Sequence, residues 1–194
     1  MTADTRFAAA LRALAAALNE IPAPSMIIGG IAVIAAGVPR ETVDIDAAIL
    51  GRDVTAERVI AILGRHDITP RIDDALSFVR DRQVLLLRHE PTGVTIEISF
   101  AWLPFEEEAL ARAIETDVEG MKVRLATPED LIVYKTTAWR DRDRSDIERL
   151  FVLHFDEIDL DRVRALVREI SAVLDDPERI VEFDRIVERA RRAR

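Results

Sequence analysis

The sequence predicts an α/β fold, a small mixed twisted sheet flanked by helices, with a helical bundle after it. Three observations carry this expectation. Short apolar, β-branched runs alternate with segments of helical period over the first 126 residues. The run QVLLLRHEPTGVTIEISFAW, Gln83 to Trp102, has the form of a β-hairpin turning at Pro91-Thr92-Gly93. Beyond residue 126 the pattern is helical throughout, so an α/β domain at 1–126 and a helical region at 127–194 are expected.

In order along the chain, MTADTRFAAALRALAAALNE reads as an amphipathic helix ending near Asn19, because Arg12 interrupts what would otherwise resemble a signal peptide. The IPAP segment breaks it, and SMII follows as a short buried strand. Ile31, Ile34, Ala35 and Val38 recur at helical spacing, which places a helix from just after Gly30 to near Gly37. TVDIDAAIL is a strand, and Asp53 or Thr55 caps a helix reaching about Arg65. DITPRI is a short strand, while DDALSFVRD fits helix or loop equally. After the hairpin, FEEEALARA is the acidic first turn of a helix preceded by Pro104, and TDVEGMKVRL is a second hairpin turning at Glu119-Gly120. Thr127 with Asp130 three residues on forms a variant capping box, and further helices start near Arg144, Asp159 and Pro177.

The 194 residues are 49% hydrophobic and 32% charged, the balance of a chain that buries a core in water. No apolar run reaches the roughly 18 residues that span a bilayer, so no membrane partner is expected. With no cysteine, disulfides, thiolate metal sites and cysteine nucleophiles are excluded, and a cytoplasmic location is the default. A net charge of −9 argues against a surface broadly built for a polyanion. The arginines of the ERARRAR tail suit a helix C-terminus. His66, His89 and His154 show no metal spacing, and no nucleophile elbow or P-loop is present. Trp102, Tyr134 and Trp139 are assigned to packing rather than to base stacking.

One stretch has no such simple account. Asp44 and Asp46 lie two apart on a strand and therefore project on the same side. Adjacent carboxylates repel, and a shared proton or a hard cation relieves them. Upstream, Gly29-Gly30 joins a strand to a helix, where a bare backbone approaches a ligand and free N–H groups face an anion. A phosphate cradle beside an acid pair is what a nucleoside triphosphate with magnesium requires.

The string GG(x6)GxxRxTxDxD, Gly29 to Asp46, resembles the signature of the polymerase-beta-like nucleotidyltransferases, especially the bacterial abortive-infection, toxin-type enzymes and the antibiotic adenylyltransferases. Downstream, Lys135, Arg140, Asp143 and Asp146 resemble the toxin-type group's helical segment. The resemblance implies the nucleotidyltransferase fold and transfer of a nucleoside monophosphate from a triphosphate, with pyrophosphate released. It implies Asp44 and Asp46 as Mg2+ ligands, Gly29 and Gly30 at the triphosphate, Arg40 orienting a phosphate or bracing the loop, and Thr42 as a structural hydrogen-bonder. Lys135 would neutralise triphosphate charge, with a surface lysine as the alternative; it is one of two lysines in the chain. Of the two acids in the helical segment, Asp146 is taken as catalytic and Asp143 as a cap. Where the toxin-type enzymes often carry serine after the first glycine, this chain has Gly30.

Glu97 shares a strand face with Thr95 and Ser99, and the superfamily supplies a third carboxylate from a strand beside the acid pair. Glu97 is therefore expected as a metal ligand or as base for the acceptor hydroxyl, the alternative being an edge-strand Glu paired to Arg88. The acceptor stays open among tRNA, protein and a cationic small molecule. A nucleotide- or partner-binding module without turnover is the alternative function, with a cognate antitoxin-like protein as the candidate partner.

Overall fold

Among the described residues, seven strands line up in one mixed sheet. The computed structural model describes residues 3–118 and 120–194, with side chains for 5–118 and 120–194. The first described elements are α1 (Ala3–Glu20), β1 (Ser25–Ile28), α2 (Gly29–Ala35), β2 (Asp44–Leu50), α3 (Ala56–Gly64), β3 (Ile68–Pro70), α4 (Ala75–Arg82) and β4 (Val84–His89). They continue as β5 (Val94–Ala101), α5 (Pro104–Arg112), β6 (Ile114–Val118), β7 (Met121–Leu125), α6 (Pro128–Ala138), α7 (Asp141–His154), α8 (Leu160–Val173) and α9 (Glu178–Arg192).

Two compact units account for these elements. The first is Met1–Ile31 with Glu41–Ala126, and the second is Ala32–Arg40 with Thr127–Arg194. A cut at residue 126 alone would leave residues 32–40 with the sheet. In that stretch the Ala36 carbonyl accepts from His154 Nε2 at 2.8 Å and Arg40 pairs with Asp146, both inside the helical unit.

In the first unit the strand order is β3-β4-β5-β2-β1-β7-β6, with β2 at the centre. It runs antiparallel to β1 and parallel to β5. Alternation sorts the side chains: Ile45, Ala47 and Ile49 of β2, Ile96 and Ile98 of β5, and Leu85 and Leu87 of β4 are fully buried. Asp44, Asp46, Thr95, Glu97 and Ser99 take the other, half-buried face. Packing of α1 on α3, β5 and β7 covers part of the sheet. In the second unit α6 packs on α7 and α8, and α9 on α7 and α8. Phe151 and Phe183 meet edge to face there, with ring centres 5.7 Å apart.

Several boundaries move for local reasons. α2 begins at Gly29 itself. The ambiguous DDALSFVRD becomes α4 because the Asp74 carboxylate accepts from Ser77 N. Pro104 is the first residue of α5, where a missing N–H loses nothing. α7 starts at Asp141, ahead of Arg144, because Asp143 reaches back to accept from Arg140 N at 3.1 Å. Trp102, expected in packing, is 65% exposed just after β5 ends. Glu119 of the predicted second turn lies outside the described residues, as do Met1 and Thr2 of the predicted first helix.

Candidate functional site

The acid pair opens the central strand of the first unit. Asp44 and Asp46 share the polar face of β2, and Glu97 on β5 stands directly beside Asp46 in the parallel register. Neighbouring strands lie about 4.8 Å apart, so three carboxylates occupy adjacent positions on one surface. Thr42, just ahead of the strand, donates its hydroxyl toward Asp44 Oδ1 at 3.1 Å or the Asp44 carbonyl at 3.2 Å. That bond fixes the Asp44 rotamer without supplying a positive charge.

Gly29 closes the other side. Its φ is +62°, in the left-handed region where a side chain is strained. A Cβ at this position would sit 1.9 Å from Asp46 Oδ2 and 2.7 Å from Asp46 Cβ. The bare main chain of Gly29 is therefore what gives the Asp46 carboxylate its space. Gly30 is helical and buried in the first turn of α2. With seven residues, α2 contributes a modest dipole, and close approach is the main gift of the glycine pair.

The donor set is hard carboxylate oxygen. Among the described residues no three carboxylate, imidazole or thiolate groups form a preformed metal cage. Magnesium does not need one: one or two carboxylates suffice, and water and phosphate oxygens complete its shell. Asp44 and Asp46 on a half-open face fit that requirement. Glu97 is engaged elsewhere, its Oε1 accepting from Arg71 Nη2 at 3.0 Å. The alternative of an edge-strand Glu paired to Arg88 does not hold, because β5 lies between β4 and β2 and Arg88 pairs with Glu90.

The remaining candidates come together inside the second unit. The Lys135 ammonium is buried, 2.7 Å from Asp146 Oδ2 and 3.3 Å from Asp143 Oδ1. Arg40 Nη1 reaches the same Asp146 oxygen at 2.7 Å, and Arg140 Nε donates to Asp143 Oδ2 at 2.8 Å. Both aspartates are almost wholly buried. Asp143 is at once the helix cap and a ligand of Lys135. Burial pushes the Asp143 carboxyl up, but the hydrogen bonds from Arg140 and the charge of Lys135 outweigh it and hold the group below the ordinary carboxylate range. Lys135 is thus neither a surface lysine nor a bare cation: it is the centre of a buried ion network.

Sequence reasoning passed over Arg71. Its signal was alternation: Thr69 and Arg71 lie two apart, on the face shared with Arg88 and Glu97. The histidines divide. His89 is buried against the Thr92 hydroxyl at 2.8 Å, and its burial lowers its pKa, while His66 and His154 are half-buried beside Glu20 and Glu157. A cavity of about 460 Å³ lies elsewhere in the first unit, past the far end of β2, lined by Gly51, Val54, Leu76, Val79 and Phe100 among others.

Comparison with known proteins agrees on the fold. The family described as nucleotidyltransferase of unknown function (DUF6036) matches residues 8–191. No curated protein matches the sequence. Among solved structures, the chain is similar to ANT(2")-Ia in complex with adenylyl-2"-tobramycin, at TM-score 0.56 and 18% identity over 84% of this chain and 96% of that one. It is similar to JHP933 from Helicobacter pylori at TM-score 0.51 and 20% identity, covering 93% and 77%. It is also similar to an antigenic nucleotidyltransferase-like protein from Paracoccidioides brasiliensis, at TM-score 0.51 and 20% identity, covering 87% and 88%.

Proposed function

The chain belongs to the DUF6036 nucleotidyltransferase family, and from that premise we propose that it moves a nucleoside monophosphate from a Mg2+-bound triphosphate to an acceptor hydroxyl, with Asp44 and Asp46 as the metal ligands. One observation carries this reading: two carboxylates share a face of the central strand, and the Asp46 side chain occupies space that a Cβ on Gly29 would fill. An enzyme of this family takes a nucleoside triphosphate, and the fold generally works with a divalent metal. When bound, Mg2+ would neutralise phosphate charge and polarise the attacked phosphoryl group.

The chain's own residues supply the rest. The Gly29 main chain leaves the triphosphate room to approach Asp46, and Thr42 holds Asp44 in place. The acceptor oxygen attacks the α-phosphorus, the bond from that phosphorus to the bridging oxygen breaks, and pyrophosphate leaves. Glu97, beside Asp46, takes the acceptor's proton. Positioning and electrostatics dominate such transfer, so acids held on a central strand matter more than any mobile group. Lys135 and Arg40, held by buried aspartates, keep the helical unit in shape. An adenylylated product such as the one held by ANT(2")-Ia is what this transfer leaves on its acceptor.

The test is incubation with each labelled triphosphate and Mg2+, with tRNA, cellular protein and cationic antibiotics as acceptors, read by mass spectrometry. Pyrophosphate release with a labelled acceptor supports transfer. Triphosphate binding without release in every combination would assign the chain to the binding-module class instead.

A further inference from the structure

Five chain segments stand level across the polar face of the sheet. Arg71 N donates to the Leu86 carbonyl at 3.0 Å, Leu86 pairs with Glu97, Glu97 with Asp46, and Asp46 with Ile28, the residue before Gly29. The row therefore runs from a guanidinium, across one apolar side chain, to Glu97 and then to Asp46. Pro70 precedes Arg71 and restricts its own φ, and the bond to Leu86 pins the base of the arginine side chain. From that fixed base Arg71 reaches over β4 to Glu97 at 3.0 Å. The other arginine on this face, Arg88, is taken by Glu90 and does not reach the row.

We propose that Arg71 is a positioning residue that competes with divalent metal for Glu97. In the metal-free chain its guanidinium holds the Glu97 carboxylate. With a cation held at Asp44 and Asp46, Glu97 would leave Arg71 for that cation. The inference rests on reading Asp44 and Asp46 as metal ligands. Relative strengths decide its direction. The Arg71 and Glu97 side chains are 36% and 43% exposed, so solvent screens their attraction and the pair is weak. A divalent cation one strand away has twice the charge and is not held at the end of a flexible stem. The exchange conserves the chain's ionisation: no proton moves, and one carboxylate passes from a monovalent to a divalent partner.

Manganese binding to the nucleotide-free protein, followed by the electron paramagnetic resonance of free Mn2+, tests this apart from turnover. Arg71→Ala should tighten Mn2+ binding about two- to fivefold, the equivalent of one exposed pair. Arg88→Ala removes the same charge from the same face without touching Glu97, and should change binding by less than the Arg71 variant. In a Glu97→Gln background the effect of Arg71→Ala should vanish. Equal affinity of Arg71→Ala and the unaltered protein, an equal gain in Arg88→Ala, or a gain that survives in Glu97→Gln would each overturn the proposal. Asp44→Asn separates the two levels of inference. If it abolishes Mn2+ binding while Arg71→Ala does nothing, only the role of Arg71 fails; if it binds Mn2+ unchanged, the metal reading itself fails.

Discussion

Replacing Gly29 by alanine attacks the site through its backbone, and the structure sets the size of the effect. At φ +62° an L-residue is strained by roughly 1–2 kcal/mol. The new Cβ would also lie 1.9 Å from Asp46 Oδ2. Rotating the carboxylate away does not remove the overlap, because Asp46 Cβ itself is 2.7 Å distant. That atom cannot yield easily, since β2 is paired on both sides at the middle of the sheet. Overpacking of this kind typically adds about 1–3 kcal/mol. Together the terms come to about 2–5 kcal/mol, a large part of the roughly 5–15 kcal/mol that keeps a domain folded. For a chain of this size each kcal/mol moves Tm by about 2–4 °C, so Gly29→Ala should melt roughly 4–20 °C lower. Thermal unfolding followed by circular dichroism measures it. Asp46→Ala in the same chain removes the carboxylate but keeps the Cβ, and should recover part of the loss while the backbone strain stays. A Gly29→Ala protein melting within a degree of the unaltered chain would refute the close approach on which the site is built.

Asp44→Asn or Asp46→Asn should abolish Mg2+-dependent triphosphate binding, measured by calorimetry, while in Asp44→Asn Tm holds or rises because one of two like charges is gone. Glu97→Gln should lose at least the roughly hundredfold in transfer rate typical of a missing general base, read by pyrophosphate release. Lys135→Met leaves two buried aspartates short of a cation, a change that typically costs about 3–5 kcal/mol, and should lower Tm on the order of 10 °C. Asp143 binds its proton less readily folded than unfolded, so its contribution to stability is present above the ordinary value of 3.8 and is lost as pH falls below it. Urea unfolding from pH 7 down to pH 3 should show that loss, and Asp143→Asn should flatten the limb.

Much of the sheet was legible because alternation and turn residues act locally. SMII, DIDAAIL and the hairpin about Pro91-Thr92-Gly93 appear where period and punctuation put them. Caps did the same for helices, with Thr55, Thr127 and Asp159 each accepting a backbone N–H in the first turn. Strand order was not legible. Whether β5 lies at an edge or beside β2 depends on pairings between residues 51 positions apart, such as Asp46 and Glu97, which no local period encodes. That pairing turns Glu97 from an exposed hairpin residue into a neighbour of Asp46. Arg71 was missed for the same reason, since its partner is 26 residues away and on another strand. Residues 32–40 are a different case: a stretch following the glycines looks like part of the sheet region, while Ala36 and Arg40 have partners among the helices.

The two acid motifs, D-x-D at 44 and 46 and D-x-x-D at 143 and 146, look alike in the sequence, yet they solve the same electrostatic problem in different ways. A carboxylate taken out of water needs a cation, and it can come from the chain or from solution. At 143 and 146 the chain provides it: helical spacing turns both acids inward, and Arg40, Lys135 and Arg140 meet them at 2.7 to 3.3 Å. At 44 and 46 strand spacing keeps both acids on a half-open face, where Asp44 has a hydroxyl for a partner and no ion pair among the described residues. Acids already matched by buried cations gain little from a metal, because binding one would first have to break those pairs. Asp44, on the half-open face of a rigid strand, has no such pair to break. The contrast between the motifs therefore lies in their surroundings: it supports our proposal of a metal at the sheet acids, while the helical acids carry an ion network of the chain's own.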